Sequence, residues 1–272
     1  AGILNFAGAA FFGVGSYTAA VLATRTNMTG LLILLSGGIL SAVIGSLLIL
    51  PVLRTRGHYS ALVTLAFGIL FETFLEVNDA LGGPQGVQIP GMKLFGWAMN
   101  ENIQIGGIEI SYVANYAVLS VVLCAASFIL VRRLERSWIG VAMDMVRTDE
   151  ISAATFGIPI ARIKITAFTI ANFLIGVAGA TYGMLTSYTA PGNFTFVDSL
   201  ILVSVLLLGG MGNPVGVLPA TAIILILPQK LQFIQEYRLL IFGLMVIAIL
   251  LFRPDGLIPR STRKLFAGRG AA

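Results

Sequence analysis

The sequence predicts an all-α, polytopic transmembrane helical bundle of about eight membrane segments, some of them broken. Three observations predict it. Hydrophobic residues fill 57% of the 272 positions and charged residues only 11%, against roughly a quarter charged in soluble domains. The apolar residues gather in runs, several of which reach the roughly 20 residues that a spanning helix needs. The basic residues fall between runs, as loops on one face of a membrane collect Lys and Arg. The mean hydropathy of +0.93 agrees. The net charge of +5 reads as loop asymmetry and not as a nucleic-acid footprint.

The segments, in order, are 3–23, 31–53, 58–77, 112–131, 163–186, 197–208, 215–228 and 237–252. The first five are long enough to span. The pair flanking Gly209–Pro214 is short and interrupted by glycine. Such backbone is tolerated at membrane depth only inside protein or beside a water-filled cavity. Gly37, Ser41 and Gly45 recur at spacing four, as do Gly38, Ala42 and Ser46; Gly179 and Gly183 form a further pair. Small residues at this spacing let helix backbones approach closely. Two glycine-rich stretches, 5–18 and 208–216, occupy corresponding places early and late in the chain. Paired interruptions of this kind allow a two-repeat organisation.

Arg54 and Arg56, the group Arg132 to Lys164, and Arg253 onward all fall on one side under strict alternation, which assigns that side to the cytoplasm. The opposite side carries loop 78–111, whose Gly82, Gly83, Gln85 and Gly86 form a turn. The chain reads as one transmembrane domain over 1–272. Ala1 lies within an apolar stretch without Met or a basic leader, so further helices are expected upstream.

Residues 137–158 form the long polar interval of the C-terminal half. Thr148 is placed to cap a short helix, with Asp149 and Glu150 in its first turn. Gly157 ends it and Pro159 prevents its continuation. Ile151, Ala154 and Phe156 supply apolar contacts, and the small Ala153 and Ala154 allow a close approach. Together they make a docking peg on the membrane face.

Glu72 is an ionisable group within a spanning segment and so a functional candidate; it can meet a ligand ammonium, or reach water at the interface. Asn5, Ser16, Tyr17, Thr64, Asn172 and Asn213 are polar groups in apolar runs, read either as path-lining or as interhelical contacts worth roughly 1 kcal/mol each. His58 is the single histidine and Cys124 the single cysteine, so neither a triad nor a cysteine metal cluster is expected. No Lys follows a Gly, so a phosphate-binding Gly-Lys loop is missing.

Several stretches then occur in the order of a known family. They are Ala9-Ala10-Phe11-Phe12 with Gly15-Ser16-Tyr17-Thr18, then Thr64-Leu65-Ala66-Phe67-Gly68 and Gly82-Gly83-Pro84-Gln85-Gly86. Arg147 with Asp149-Glu150-Ile151 and Ala153-Ala154 follow, then Gly209-Gly210-Met211-Gly212 and Arg253-Pro254-Asp255-Gly256-Leu257. The chain resembles the membrane permease subunits of bacterial ABC importers for branched-chain amino acids, and is most similar to the longer of that system's two permeases. The resemblance implies a second related permease subunit, two cytoplasmic ATPase subunits that use ATP and Mg, and an extracytoplasmic binding protein. It places the chain in the bacterial cytoplasmic membrane, as a transport subunit and not an enzyme. It implies that the 137–158 loop couples to the ATPase through Arg147, Asp149, Glu150, Ile151, Ala153, Ala154, Phe156 and Gly157. Gly82, Gly83, Gln85 and Gly86 then face the binding protein. The usual coupling motif, Glu-Ala-Ala with three residues between it and its Gly, is altered, since only two residues, Thr155 and Phe156, separate Ala154 from Gly157. Closely similar permeases import urea and short-chain amides, and an ion-coupled secondary transporter using Glu72 is the reading from another class.

Overall fold

The computed structural model describes residues 2–53, 59–91, 93–94, 97–105, 108–210, 212, 214–226, 240, 243–244 and 247. The chain divides into two units, Ala1–Ser199 and Leu200–Ala272. The first is built on helices α1 (Gly8–Arg25), α2 (Gly30–Val52), α3 (Tyr59–Val77), α4 (Tyr112–Arg136), α5 (Trp138–Thr148), α6 (Glu150–Thr155) and α7 (Ile160–Thr186). Helix α8 (Phe196–Gly209) runs from the first unit into the second, which continues with α9 (Pro214–Thr221) and a π-helical turn, Ala222–Ile226. Among the described residues, five stretches are long and apolar enough to cross a membrane: α2, α3, α4, α7 and Pro191–Gly209, which contains α8. The first segment, expected to span, is not among them, because glycine and polar residues dilute its hydropathy, and 197–208, expected to be too short, is part of one. The protein is a multi-pass, mostly helical membrane protein. The expected eighth segment, 237–252, lies largely outside the described residues.

Helices α1, α2 and α7 make the core of the first unit, and glycine sets their spacing. A Cβ on Gly15 would strike the Gly176 carbonyl, and one on Gly179 would strike the Phe12 carbonyl. A Cβ on Gly176 would lie 2.6 Å from the Gly37 carbonyl oxygen. Backbones thus touch where side chains would stand, as lipid-immersed packing favours. The small-residue stripes of α2 are consumed here as helix contacts. Ser41 Oγ donates to the Phe11 carbonyl at 3.2 Å, and Ser46 Oγ and Thr169 Oγ1 lie 2.7 Å apart.

Six short strands, which an all-α expectation omits, cover one end of this unit. β1 (Val87–Gln88) pairs antiparallel with β6 (Tyr188–Thr189), β2 (Lys93–Leu94) with β3 (Trp97–Ala98), and β4 (Ile103–Ile105) with β5 (Ile108–Ile110). Two- and three-residue strands carry no alternation long enough to be read in advance. The β1–β6 pair joins the expected outer loop to the end of α7, where Ser187 sits at φ 54°. Beneath it, Ile89, Met99, Tyr116 and Met184 share a buried cluster with Ala19, Ala20, Ile33 and Leu34.

In the second unit, Ile201, Val205 and Leu208 of α8 pack with Ala220 and Ile224. Gly209 and Gly216 touch backbone to backbone, and Gly210 and Gly212 take φ of 100° and 92°. The expected break after residue 208 is present.

Gly176→Val is expected to lower stability by several kcal/mol, because carbonyls on α2 would have to move. Gly192, whose Cβ would meet nothing within 4 Å, is the control. Gly192→Ala is expected to stay within about 1 kcal/mol of the parent. Thermal unfolding in detergent, compared between the two variants, checks this.

Candidate functional site

Two places gather the sequence candidates. The first lies inside the bundle, where the chain enters α1. Residues 3–5 are not helical, although a helix was expected from Ile3. Asn5 has low helix propensity, and the three glycines of the stretch, Gly8, Gly13 and Gly15, lie within α1 itself. Non-helical backbone here needs partners for its N–H groups. The Phe6 N–H donates to Thr64 Oγ1 of α3 at 3.2 Å, and the Ala7 N–H to Asn5 Oδ1 at 3.0 Å. The Ala9 N–H donates to Ser199 Oγ of α8 at 3.0 Å. Asn5 Nδ2 donates to Asn172 Oδ1 at 3.1 Å, midway along α7. Thr64, Asn172 and Ser199 are all buried. Asn172 Nδ2 has no partner and is packed against Gly45 of α2.

Three of the expected path residues, Asn5, Thr64 and Asn172, therefore meet at one knot. Ser199 belongs to it and was missed; its only sequence signal is a hydroxyl at the start of an apolar run. The other candidates lie elsewhere. Ser16 donates to Thr189 Oγ1 at 3.0 Å, at the strand-covered end. Tyr17 packs edge-on to Phe194, and its hydroxyl has no partner. Glu72 is half-buried and shares its surroundings with the carboxylates of Glu76 and Asp198. Asn213 lies outside the described residues, as do Arg54, Arg56 and His58.

The second place is the corner between α4 and α7, expected as a loop over 137–158 with one short helix. It holds two helices. Ser137 caps α5, accepting from the Gly140 N–H at 3.4 Å. Gly140, Ala142 and Val146 form the buried face of α5. The expected cap is displaced by one residue. Thr148 ends α5, with its hydroxyl on the Asp144 carbonyl at 2.9 Å. Asp149 caps α6 instead, accepting from the Ile151 N–H at 2.9 Å, the Ser152 N–H at 3.3 Å and Ser152 Oγ at 2.6 Å. A carboxylate serves at this position as well as a hydroxyl does, and it also meets the helix dipole. The Ser152 hydroxyl, then the Ser152 and Ile151 amides, hold the Asp149 carboxyl below the usual range.

Gly157 (φ 75°) ends the turn, and its N–H donates to the Ala154 carbonyl at 2.9 Å. Ala153 is fully buried with Ala142, Val146 and Ile163, so it fixes α6 to α5 and α7 and offers no docking surface. Glu150 is paired with Lys164 at 2.6 Å, and Arg147 lies 4.0 Å from Asp144. Two large apolar side chains stand out among the exposed polar residues Arg147, Thr148, Asp149, Glu150, Ser152 and Thr155 of the corner. Ile151 is 80% exposed and Phe156 75%, and Ala154 is exposed beside them. A surface cavity of about 440 Å³ opens between the two helices, lined by Val141, Met145 and Ala153 together with Asp144, Thr148, Asp149 and Ser152.

The fold and these two places are those of a multi-pass helical membrane protein. Residues 1–250 match the family described as branched-chain amino acid transport system / permease component, and the chain belongs to that family. It is 32% identical, over 99% of its length, to the high-affinity branched-chain amino acid transport system permease protein LivM of Escherichia coli K12 and to that of Salmonella typhimurium LT2. It is 25% identical, over 85% of its length, to the probable branched-chain amino acid transport permease protein LivM of Methanocaldococcus jannaschii. The chain spans 66% of the length of each of the first two and 69% of the third. No solved structure matches it.

Two outcomes test these sites. Thr64→Val leaves the half-buried Phe6 N–H without its acceptor and is expected to cost roughly 1 kcal/mol or more, read as a loss of thermal stability. Asp149 has a folded pKa below its unfolded value, so its contribution is complete above the unfolded pKa. It is lost as pH falls through the lower, folded one. Hydrogen exchange at the Ile151 and Ser152 amides is expected to stay slow at pH 5 and to accelerate only below the ordinary carboxylate range. In Asp149→Asn this acid-induced change is expected to disappear.

Proposed function

We propose that this chain is a transmembrane permease subunit of an ATP-driven importer, carrying branched-chain or other hydrophobic amino acids inward by alternating access. Family membership supports the class, and the names of the relatives support the substrate. The observation that carries the mechanism is the α5–α6 corner. Two large apolar side chains, Ile151 and Phe156, stand in water beside a cavity, on a helix capped and clamped at both ends. Isolated exposed apolar residues are ordinary; a pair set at the first turn and the C-cap of a six-residue helix suits a protein partner.

In this reading the partner is one of two cytoplasmic ATPase subunits, which bind the ATP and Mg that this chain does not. A second, related permease subunit completes the path, and an extracytoplasmic binding protein delivers the amino acid. Its contact would be near Gly82, Gly83, Gln85 and Gly86, where three glycines of positive φ make the turn and Tyr188 Oη donates to the Gln85 carbonyl at 2.6 Å. The 137–158 corner faces the cytoplasm of a bacterial cell, and lipid surrounds the bundle. The interrupted stretches at the α1 entry and at 208–216 fit a two-repeat organisation around the path.

Ile151→Arg with Phe156→Arg is expected to reduce ATP-dependent leucine uptake by tenfold or more while the protein stays inserted and monodisperse. Cross-linkers at these two positions are expected to capture an ATP-hydrolysing subunit. Uptake should survive collapse of proton and sodium gradients and stop on ATP depletion. Normal uptake by the double variant, with no ATPase captured, would overturn the docking assignment.

A further inference from the structure

One face of α4 is unaccounted for by the transport reading. The helix runs 25 residues with high hydropathy, and only 6% of its most apolar window is buried. Tyr116, Leu119 and Leu123 turn inward to the cluster beneath the strands. The opposite face carries Val118, Val122, Ala125 and Ile129 at spacings of three and four, so they form one stripe. Val118 is 65% exposed, Val122 57% and Ile129 56%. The stripe continues without a break into Arg132, Arg133 and Arg136, all exposed. Arg132 lies 6.0 Å from the Phe128 ring. The next helix then begins at Trp138, which is 67% exposed.

A single helical face is therefore aliphatic along its length, cationic at its end, and followed by an interfacial indole. We propose that this face is a binding site for an anionic phospholipid, whose acyl chain lies along Val118–Ile129 and whose headgroup phosphate is held by Arg132, Arg133 and Arg136. A helix C-terminus carries about half a negative charge, which one arginine satisfies. Three arginines within five residues exceed that need, and Glu135, half-buried among them, offsets only one more. A phosphate supplies the missing charge, and guanidinium forks match its oxygens in bidentate pairs. Trp138 sits where aromatic residues anchor a helix at headgroup level. A covering protein helix fits less well, because it would have to bury three like charges.

The experiment uses the full-length protein assembled with its partner subunits in nanodiscs of phosphatidylcholine containing added phosphatidylglycerol. Retained lipid is read by native mass spectrometry across a phosphatidylglycerol titration. The parent is expected to retain phosphatidylglycerol over phosphatidylcholine. R132Q/R133Q/R136Q is expected to weaken that retention by about tenfold or more, each basic residue near the surface contributing about 1 kcal/mol. R132K/R133K/R136K is expected to fall between the two, keeping the charge and losing the bidentate forks. Added salt should erode the preference in the parent and not in the Gln variant. Should the triple variant not fold, R133Q alone carries the test, with a loss of several-fold expected. Equal retention by parent and Gln variants overturns the proposal. So does efficient cross-linking of a cysteine at Val122 or Ile129 to a partner subunit, which would put protein where the acyl chain belongs.

Discussion

In hydrocarbon an unpaired backbone amide costs several kcal/mol, and the α1 entry is where this constraint bears hardest. The chain crosses from irregular backbone into helix inside the bundle, and three N–H groups would otherwise be stranded. Thr64 and Ser199, from two other elements, supply acceptors, and Asn5 supplies one locally while bonding to Asn172. Each group alone is worth little in a membrane, on the order of 1 kcal/mol. Their effect is positional: the entry can exist only where α3, α7 and the start of α8 already stand. The glycine contacts complete the placement, since Gly15 against Gly176 and Gly179 against Phe12 bring α1 and α7 into backbone contact.

The same economy explains the polar groups that do not converge. Ser16 and Thr189 pair at the strand-covered end, and Asn100 links Ser187 to Tyr116 through bonds of 3.0 and 2.5 Å. These tie the expected outer loop to the ends of α4 and α7. They stitch the cap of the bundle and leave its interior to the knot. Glu72 belongs to neither set. It sits half-buried with Glu76 and Asp198 nearby, and the Asp198 carboxylate is occupied by the Thr195 N–H and hydroxyl at 3.1 and 2.7 Å.

The spans were legible because hydropathy at helix length is a strong signal, and α2, α3 and the start of α4 fall within a residue or so of expectation. The α2 stripes were legible because small residues every fourth position have one main use in lipid. The α1 start was not, since a hydrophobic run looks alike whether or not its first turn is wound. Residue 153 illustrates a second limit. Two adjacent alanines read alike in sequence, yet a rotation of about 100° between neighbours buries Ala153 and exposes Ala154. The cap shifted from Thr148 to Asp149 for a related reason: both residues can cap, and α5, whose amphipathic face was not recognised in a polar interval, claims Thr148 as its last turn.

The two candidate places are mechanically one. Helix α6 is joined to α7 by Gly157 and Pro159, by the Glu150–Lys164 ion pair, and by the packing of Ala153 on Ile163. A load on Ile151 or Phe156 is therefore carried by α7. The same helix bears Asn172 at the α1 entry, and Gly176 and Gly179 at the tightest contacts of the core. Close-packed interfaces of this kind do not yield gradually; they hold one packing or move to another. The Asn172 amide nitrogen, with its two N–H groups, is bonded to nothing, so the present packing does not use all the hydrogen bonds the residue offers. A shift of α7 relative to α1 would break the Asn5–Asn172 bond, so Asn172 ties the helix that carries α6 to the non-helical entry of α1.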